Sequence, residues 1–289
     1  MSAAPRFNNI LVIAHPQLND AIEQAEQIAA TLKSEGIQAI YGVLYDERID
    51  QKIKSGKADL VVALGGDGTM LRAGNLCAPH GLPVLGINMG RFGFLTEIRS
   101  EQWREVLPRL LNGDFWIENR MMLRAEQWRN SEKLGSWEVL NEIVVSRGYF
   151  VRPVHLVTEI DGRYLTTYVA DALIASTATG STAYALAAGG PVLPPELRNI
   201  LIVPVAPHLS IDRAIVLPEG SSVGITVKTT HQAVMSPDGH GPVEMMDGDR
   251  ILACASEHSA QFIRFQDPGY FYRNLTPHMS QNPSTGNSR

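Results

Sequence analysis

The sequence predicts an α/β N-terminal domain with a parallel sheet, followed by a mainly β C-terminal domain. Three observations carry this prediction. Apolar runs of strand length alternate with stretches of helical period up to Leu111; strand-like runs dominate from Phe115 onward; and 289 residues exceed one small domain, at roughly 100 to 200 residues each. Strand, helix, strand, helix, strand is the order of a parallel α/β sheet.

Residues 9–14 (NILVIA) are a short apolar run expected as a buried strand. A helix is predicted over 18–34, because Ala21, Ile22, Ala25, Ile28, Ala29 and Leu32 recur at three and four, and Gly36 stops it. Strands follow at 37–44 and 59–64 (DLVVAL), a helix at 70–77, a strand at 82–87 (LPVLGI) and a helix at 100–111, opened by Ser100 with Glu101 behind it. Beyond Asn112-Gly113 strands are predicted at 119–129, 137–146 and 155–175, the last folded on an Asp161-Gly162 hairpin turn. One helix at 181–188 interrupts them, ended by Gly189-Gly190-Pro191. Strands resume at 200–205, 214–217, 222–229, 243–246, 250–255 and 261–265. The expected organisation is a domain over 1–118, a β-rich domain over 119–278, and a polar, disordered tail over 279–289.

Composition narrows the classes. With 44% hydrophobic and 19% charged residues the chain reads as globular, and a formal net charge of −5 argues against nucleic-acid binding by bulk electrostatics. Cys77 and Cys254 are too few for a structural zinc site and read as thiols in a reducing compartment. There is no apolar signal core at the N-terminus and no run of about 18 apolar residues, so a cytoplasmic protein without a membrane segment is expected. The eight histidines show no HExxH or HxxxH spacing, and no metal held by the protein itself is expected.

The sharpest local feature is GGDGT, Gly65 to Thr69, between an apolar strand and a helix, where open α/β sheets hold ligands. Glycines let a backbone approach a phosphate and aim amide hydrogens at it. Thr69 can cap the helix or meet a phosphate oxygen, and Arg72 lies near enough to reach one. Asp67 would repel an anion unless it binds a metal or takes a proton from an incoming hydroxyl. Read alone, the segment is equally a glycine turn with a capping aspartate. A Walker-type GxxxxGK[ST] and a dinucleotide GxGxxG are both absent.

The stretch STATGSTAYALAAGGP, Ser176 to Pro191, is small and hydroxyl-rich. Thr179, Ser181, Thr182 and Tyr184 could bond a polar ligand at a helix start; alone the stretch is also an ordinary cap of an alanine helix. Ser181 as a hydrolase nucleophile fails, because GxSxG is missing. In GINMGRFGFLTE, Gly90 and Gly93 space a loop carrying Phe92 and Phe94, which can wall a planar ligand or pack into the core. Asn141-Glu142 inside LNEIVVS face opposite ways in a strand, and SPDGH, Ser236 to His240, reads as a turn.

In this order GGDGT, NMGRFGFLTE, the Asn141-Glu142 pair, TATGSTAYALAAGGP, PHLSIDRAIVLP and SPDGH resemble the ATP-dependent NAD kinase family (ATP/polyphosphate-NAD kinases) over about residues 59–273. GGDGT is shared with lipid kinases and relatives of phosphofructokinase; TGSTAY with the Asn-Glu pair is the specific part. The resemblance implies a sandwich-like C-terminal domain and an active site between the two domains. It implies Asp67 as general base, Gly65, Gly66, Gly68 and Thr69 against ATP phosphates, and NAD held by Asp67, Gly68, Arg72, Asn141, Glu142, Arg152, Asp171, Thr182, Ala183, Tyr184, Ala187 and His240, with Phe94 in the same set. The Asn-Glu pair is associated with ribose hydroxyls. It also implies Mg²⁺ carried by ATP, and a homodimer or homotetramer in which a neighbouring subunit can complete a site.

This chain departs from the family pattern in places. Ala178 stands where proline is common, Asp238-Gly239-His240 where many relatives have DGQ, and the basic C-terminal motif near Tyr272-Arg273-Asn274-Leu275 is weak. Arg152 is matched by its offset from the Asn-Glu pair alone. Two other readings share parts of the pattern: a lipid kinase built on GGDGT, and a non-catalytic dinucleotide sensor on the same scaffold.

Overall fold

The structure, a computed structural model, describes residues 7–90, 93–208 and 211–281, with the backbone alone for 278–281. The chain forms two compact units, Met1–Asn119 with Ser259–Arg289, and Arg120–His258.

The first unit opens with β1 (Asn9–Ala14), α1 (Asn19–Ser34), β2 (Gln38–Val43), α2 (Glu47–Lys54), β3 (Leu60–Gly65), α3 (Asp67–Cys77), β4 (Val84–Asn88), β5 (Ile98–Arg99) and α4 (Trp103–Asn112). The strands run parallel in the order β2-β1-β3-β4, with β5 beside β4. All of β3 and nearly all of β1 are buried, as a sheet covered on both faces requires. Helix α1 lays Ala21, Ala25, Ile28 and Leu32 on the core, and Gly36, at φ +82, lets the chain turn out of it. Helix α2 is absent from the sequence reading. Its core stripe is just Ile49 and Ile53, too short a repeat to stand out. The helix predicted from Ser100 begins instead as a 3₁₀ turn, Ser100–Gln102, where the Gln102 side chain rather than Ser100 accepts the Arg99 amide at 2.9 Å.

The second unit holds β6 (Trp116–Arg129, which begins in the first unit), β7 (Glu132–Val139), β8 (Glu142–Arg147), β9 (Val154–Ile160), β10 (Arg163–Ala170), β11 (Ala172–Ser176), α5 (Tyr184–Ala187), β12 (Asn199–Val205), β13 (Ile215–Pro218), β14 (Ser222–Lys228), β15 (Ala233–Pro237), β16 (Val243–Met245) and β17 (Arg250–Arg264). One layer pairs β10-β9-β14-β17, with β6 joining β17 and β7; the other is antiparallel in the order β13-β12-β11-β8-β15-β16. Alternate residues of both layers point inward to one core: Ile143 and Val145, Leu173 and Ala175, Ile200 and Ile202, facing Val223, Ile225, Ile251 and Ala253. The Asp161-Gly162 turn has both residues at positive φ (51° and 73°), the hairpin geometry its sequence predicts.

The predicted strands 250–255 and 261–265 are one 15-residue strand, β17. Its second half returns to the first unit, where Phe262 pairs with Val84 of β4 and Ile263 enters the core. The domain drawn over 119–278 is therefore corrected: from Ser259 on, the chain belongs to the first unit, because that is where its apolar residues are buried. Helix α6 (Tyr270–Gln281) follows. The expected disordered tail over 279–289 begins with the last turn of this helix, and 282–289 lie outside the described residues. Among the described residues, no helix is long and apolar enough to cross a membrane.

Candidate active site

In the first unit β3 ends at Gly65 and α3 starts at Asp67, with Gly66 as its N-cap. The helix thus begins earlier than the predicted Met70. A helix leaves its first amides without intrahelical partners and carries partial positive charge there. None of the three glycines has positive φ. Gly65 is required by packing, since a Cβ there would collide with the Thr69 side chain. A Cβ on Gly66 or Gly68 would meet nothing within 4 Å, so these two keep the loop surface open to a close ligand. Thr69 does not cap the helix: its side chain is buried beneath Gly65 and its hydroxyl has no hydrogen-bond partner. Arg72 is exposed, its guanidinium 5.7 Å from the ring centre of Tyr45.

The segment after β4 closes on Asp67. The Phe94 amide donates to Asp67 Oδ2 at 2.8 Å and the Leu95 amide to Oδ1 at 3.1 Å. Gly93 is what permits this, because a Cβ at that position would overlap the carboxylate. Phe94 packs on Phe271 of α6 at 6.3 Å between ring centres. Of the two aromatics singled out in this loop, Phe92 lies outside the described residues, as does Arg91.

A buried ionic cluster fastens the same segment from below. Arg264 Nη1 donates to the Leu95 carbonyl at 3.1 Å, and its Nε and Nη2 both donate to Glu118 at 2.8 and 2.7 Å. Tyr270 stands 3.3 Å from Glu118, and Glu97 accepts from the Phe265 and Gln266 amides. Burial pushes the Glu97 carboxyl up from its ordinary range, opposed by the Arg264 charge. Leu95 and Glu97 close the GINMGRFGFLTE motif, but Glu118, Arg264 and Tyr270 are not legible as part of a site from sequence, since they come from segments distant from it.

In the second unit the Asn141-Glu142 pair opens β8. Predicted as the middle of one strand over 137–146, it lies instead where β7 ends and β8 begins. The Asp238 carboxylate accepts from three consecutive amides, Leu140 at 2.7 Å, Asn141 at 2.9 Å and Glu142 at 2.9 Å. The Asp238-Gly239 turn has both φ positive and brings the exposed His240 to this end, its Nδ1 2.9 Å from the Pro237 carbonyl. Glu142 is buried, with one carboxylate oxygen lacking a partner. Burial, then the charge of Asp238, raises its pKa to about 8.

The hydroxyl-rich stretch is tied to the same place. The Thr177 hydroxyl donates to the Leu140 carbonyl at 2.5 Å and the Thr177 amide to the Asn141 carbonyl at 2.8 Å. The helix predicted over 181–188 is broken into a 3₁₀ turn, Gly180–Thr182, and the four residues of α5, so it offers no extended helix N-terminus. Ser181 and Thr182 spend their hydroxyls on the Ala178 and Thr179 carbonyls, at 2.7 and 3.1 Å, and Ser181 and Thr179 are buried. Tyr184 and Ala187 are exposed and Thr182 and Ala183 half-buried, while Ala185 anchors the turn on Ile174, Leu201 and Val203.

Arg152 and Asp171 are not gathered with the Asn-Glu pair. The β8–β11 ladder runs from Glu142–Ser176 at one end to Ser146–Ala172 at the other, roughly 14 Å at about 3.4 Å per residue. Asp171 lies beyond the far end, paired with Arg147 at 2.9 Å, and the exposed Arg152 sits 3.3 Å from His231 near the same end. Among the described residues no three His, Cys, Asp or Glu side chains gather as a metal cage.

Fold and loops together fit one class: phosphotransferases with an α/β domain in which a glycine-rich strand-to-helix turn carries a carboxylate. Family models for the ATP-NAD kinase N-terminal domain and the ATP-NAD kinase C-terminal domain match residues 46–115 and 140–265. An NAD kinase of Chloroflexus aggregans is 38% identical over 269 residues, 93% of this chain and 97% of the relative. The chain belongs to the NAD kinase family. Two solved structures share the fold: yeast NADH kinase complexed with NADH (TM-score 0.84, 23% identity, 99% of this chain and 91% of that one), and an NAD kinase from Archaeoglobus fulgidus in complex with ATP (TM-score 0.76, 24% identity, 94% and 99%).

Proposed function

We propose that the chain transfers the γ-phosphoryl group of MgATP to the 2′-hydroxyl of the adenosine ribose of NAD, giving NADP and ADP. The observation that carries this reading is the Asp67 carboxylate, half-exposed at the start of α3 beside two glycines that face open space. A carboxylate offers about four lone-pair sites. The Phe94 and Leu95 amides use two, which leaves room for a substrate hydroxyl. Asp67 accepts the hydroxyl proton as the oxygen attacks the γ-phosphorus, and the bond from that phosphorus to the β-phosphate oxygen breaks to release ADP. Phosphoryl transfer rests on positioning and charge neutralisation, so Gly65, Gly66, Gly68 and the first amides of α3 take the phosphates, with Thr69 supporting Gly65 from beneath and Arg72 as a nearby cation. The divalent ion arrives with the triphosphate as part of the substrate.

Asn141 and Glu142 receive the ribose hydroxyls. Thr182, Ala183, Tyr184 and Ala187 offer the dinucleotide a low surface, with Phe94 and His240 as further contacts. Arg152 and Asp171, at the far end of their strand pair, meet the dinucleotide of a neighbouring copy, in a homodimer or homotetramer working in the cytoplasm.

The test is to incubate the protein with MgATP and NAD, then detect NADP with an NADP-specific dehydrogenase, beside Asp67→Ala and Asp67→Asn. A positioned base contributes about 10² to 10⁴ in rate, and a loss of that size is expected. Equal turnover by wild type and variants removes Asp67 from the role of base. NAD binding without NADP formation points to a sensor, and neither binding nor product to another phosphoryl acceptor.

A further inference from the structure

We propose that Asp238 is a positioning residue for substrate recognition: its carboxylate, with Thr177 on the opposite side of the same peptides, fixes how Asn141 and Glu142 are presented to the dinucleotide. The inference rests on the proposed function for the role of that pair, and on geometry for the rest.

Every backbone group of residues 140–142 has a partner inside the protein. The three amides go to Asp238. The Leu140 carbonyl accepts from the Thr177 hydroxyl, the Asn141 carbonyl from the Thr177 amide and the Ser176 hydroxyl, and the Glu142 carbonyl from the Asp238 amide. The peptide run is gripped along both edges, and its two side chains are what remain for a ligand. The grip needs an aspartate. Three donors converge on two acceptor oxygens, and an asparagine would point an NH₂ at one of them. Asp238 is 8% exposed, so solvent offers little substitute for a lost bond. Its left-handed backbone (φ 46°) suits aspartate in a turn, and Gly239 (φ 69°) completes it.

Asp238 also acts through its charge. Glu142 is buried, and after burial itself the Asp238 carboxylate is what raises its proton affinity. The strands flanking β8, β11 (ALIAS) and β15 (AVMSP), carry no ionisable side chain. Neutralising Asp238 therefore moves the Glu142 titration to lower pH, an effect that a purely mechanical support would not produce.

The experiment is steady-state kinetics of Asp238→Asn and Thr177→Val in the full chain, with NAD and MgATP varied separately across pH. For Asp238→Asn the KM for NAD is expected to rise about 10-fold, as for one lost hydrogen bond to a buried charge, with the KM for ATP unchanged. The pH dependence of the NAD KM is expected to shift to lower pH. Thr177→Val is expected to give a smaller rise in the NAD KM and no pH shift. An unchanged NAD KM, or equal rises in both KM values, overturns the proposal, as does an unmoved pH profile. If Asp238→Asn does not fold, Thr177→Val decides by the same NAD KM criterion. A wild type that makes no NADP fails the kinase reading instead, so the two failures are distinct.

Discussion

In each unit one carboxylate of the candidate site is held among backbone amides, and the two are used in opposite senses. In the first, the amides of Phe94 and Leu95 hold a side chain, Asp67, which stays half-exposed with lone pairs to spare. In the second, the side chain of Asp238 holds the amides of Leu140, Asn141 and Glu142, and is itself buried with its acceptors occupied. Amide-to-carboxylate contacts therefore do not by themselves mark a reactive group. Spare acceptor capacity and access distinguish a carboxylate that can act on a ligand from one that arranges other groups.

The largest expected effect comes from removing the support beneath the first arrangement. Arg264→Met takes the guanidinium away from the buried Glu118 carboxylate and from the Leu95 carbonyl, a loss of about 3 to 5 kcal/mol for a broken buried pair. Denaturant unfolding measures it, and a change below about 1 kcal/mol would mean that water replaces the guanidinium there.

Gly93→Ala comes next. It forces a methyl into the Asp67 carboxylate, so the amide grip must open and turnover is expected to fall about 10²-fold, or roughly 2.7 kcal/mol at 1.36 per decade. Normal thermal stability with low turnover sharpens the comparison; unchanged turnover shows that the grip on Asp67 is dispensable.

Per pH unit, the smallest effect concerns Glu142. Its folded pKa of about 8 lies above the ordinary 4.5, so the folded state favours the protonated form. That contribution is complete below the unfolded pKa and is lost as pH rises through about 8. Relative to Glu142→Gln, wild-type stability should fall by at most about 1.4 kcal/mol per pH unit across this window. Parallel stability curves for the two proteins would remove the raised titration.

Much of the frame was legible because local signals agree with it. The all-apolar β1 and β3, the three-four stripe of α1 and the Asp161-Gly162 turn each follow from neighbouring residues. GGDGT was placed between strand and helix for the same reason. Helix α2 was missed because it buries two isoleucines, α6 because its large apolar residues crowd its first turn and Pro277 interrupts it, and β17 was split because Glu257, His258 and Ser259 interrupt its apolar alternation. The site was legible in its motifs and not in their fastening. SPDGH reads as a turn, and nothing near Asp238 shows that its carboxylate serves amides 96 to 98 residues earlier. Ser181 and Thr182 looked available to a ligand because sequence does not show that their hydroxyls bond to carbonyls of their own turn.

The return of β17 to the first unit has a consequence for synthesis. The chain leaves the first unit after Asn119 and re-enters it at Ser259, so the whole second unit is translated before Arg264 exists. At about 5 to 20 residues per second, that interval is roughly 7 to 30 seconds. During it the nascent first unit lacks the Arg264 guanidinium that bonds Glu118 and the Leu95 carbonyl. The strut behind the Asp67-binding loop is thus added last, and a polypeptide released early would carry the GGDGT motif without the framework that aims it.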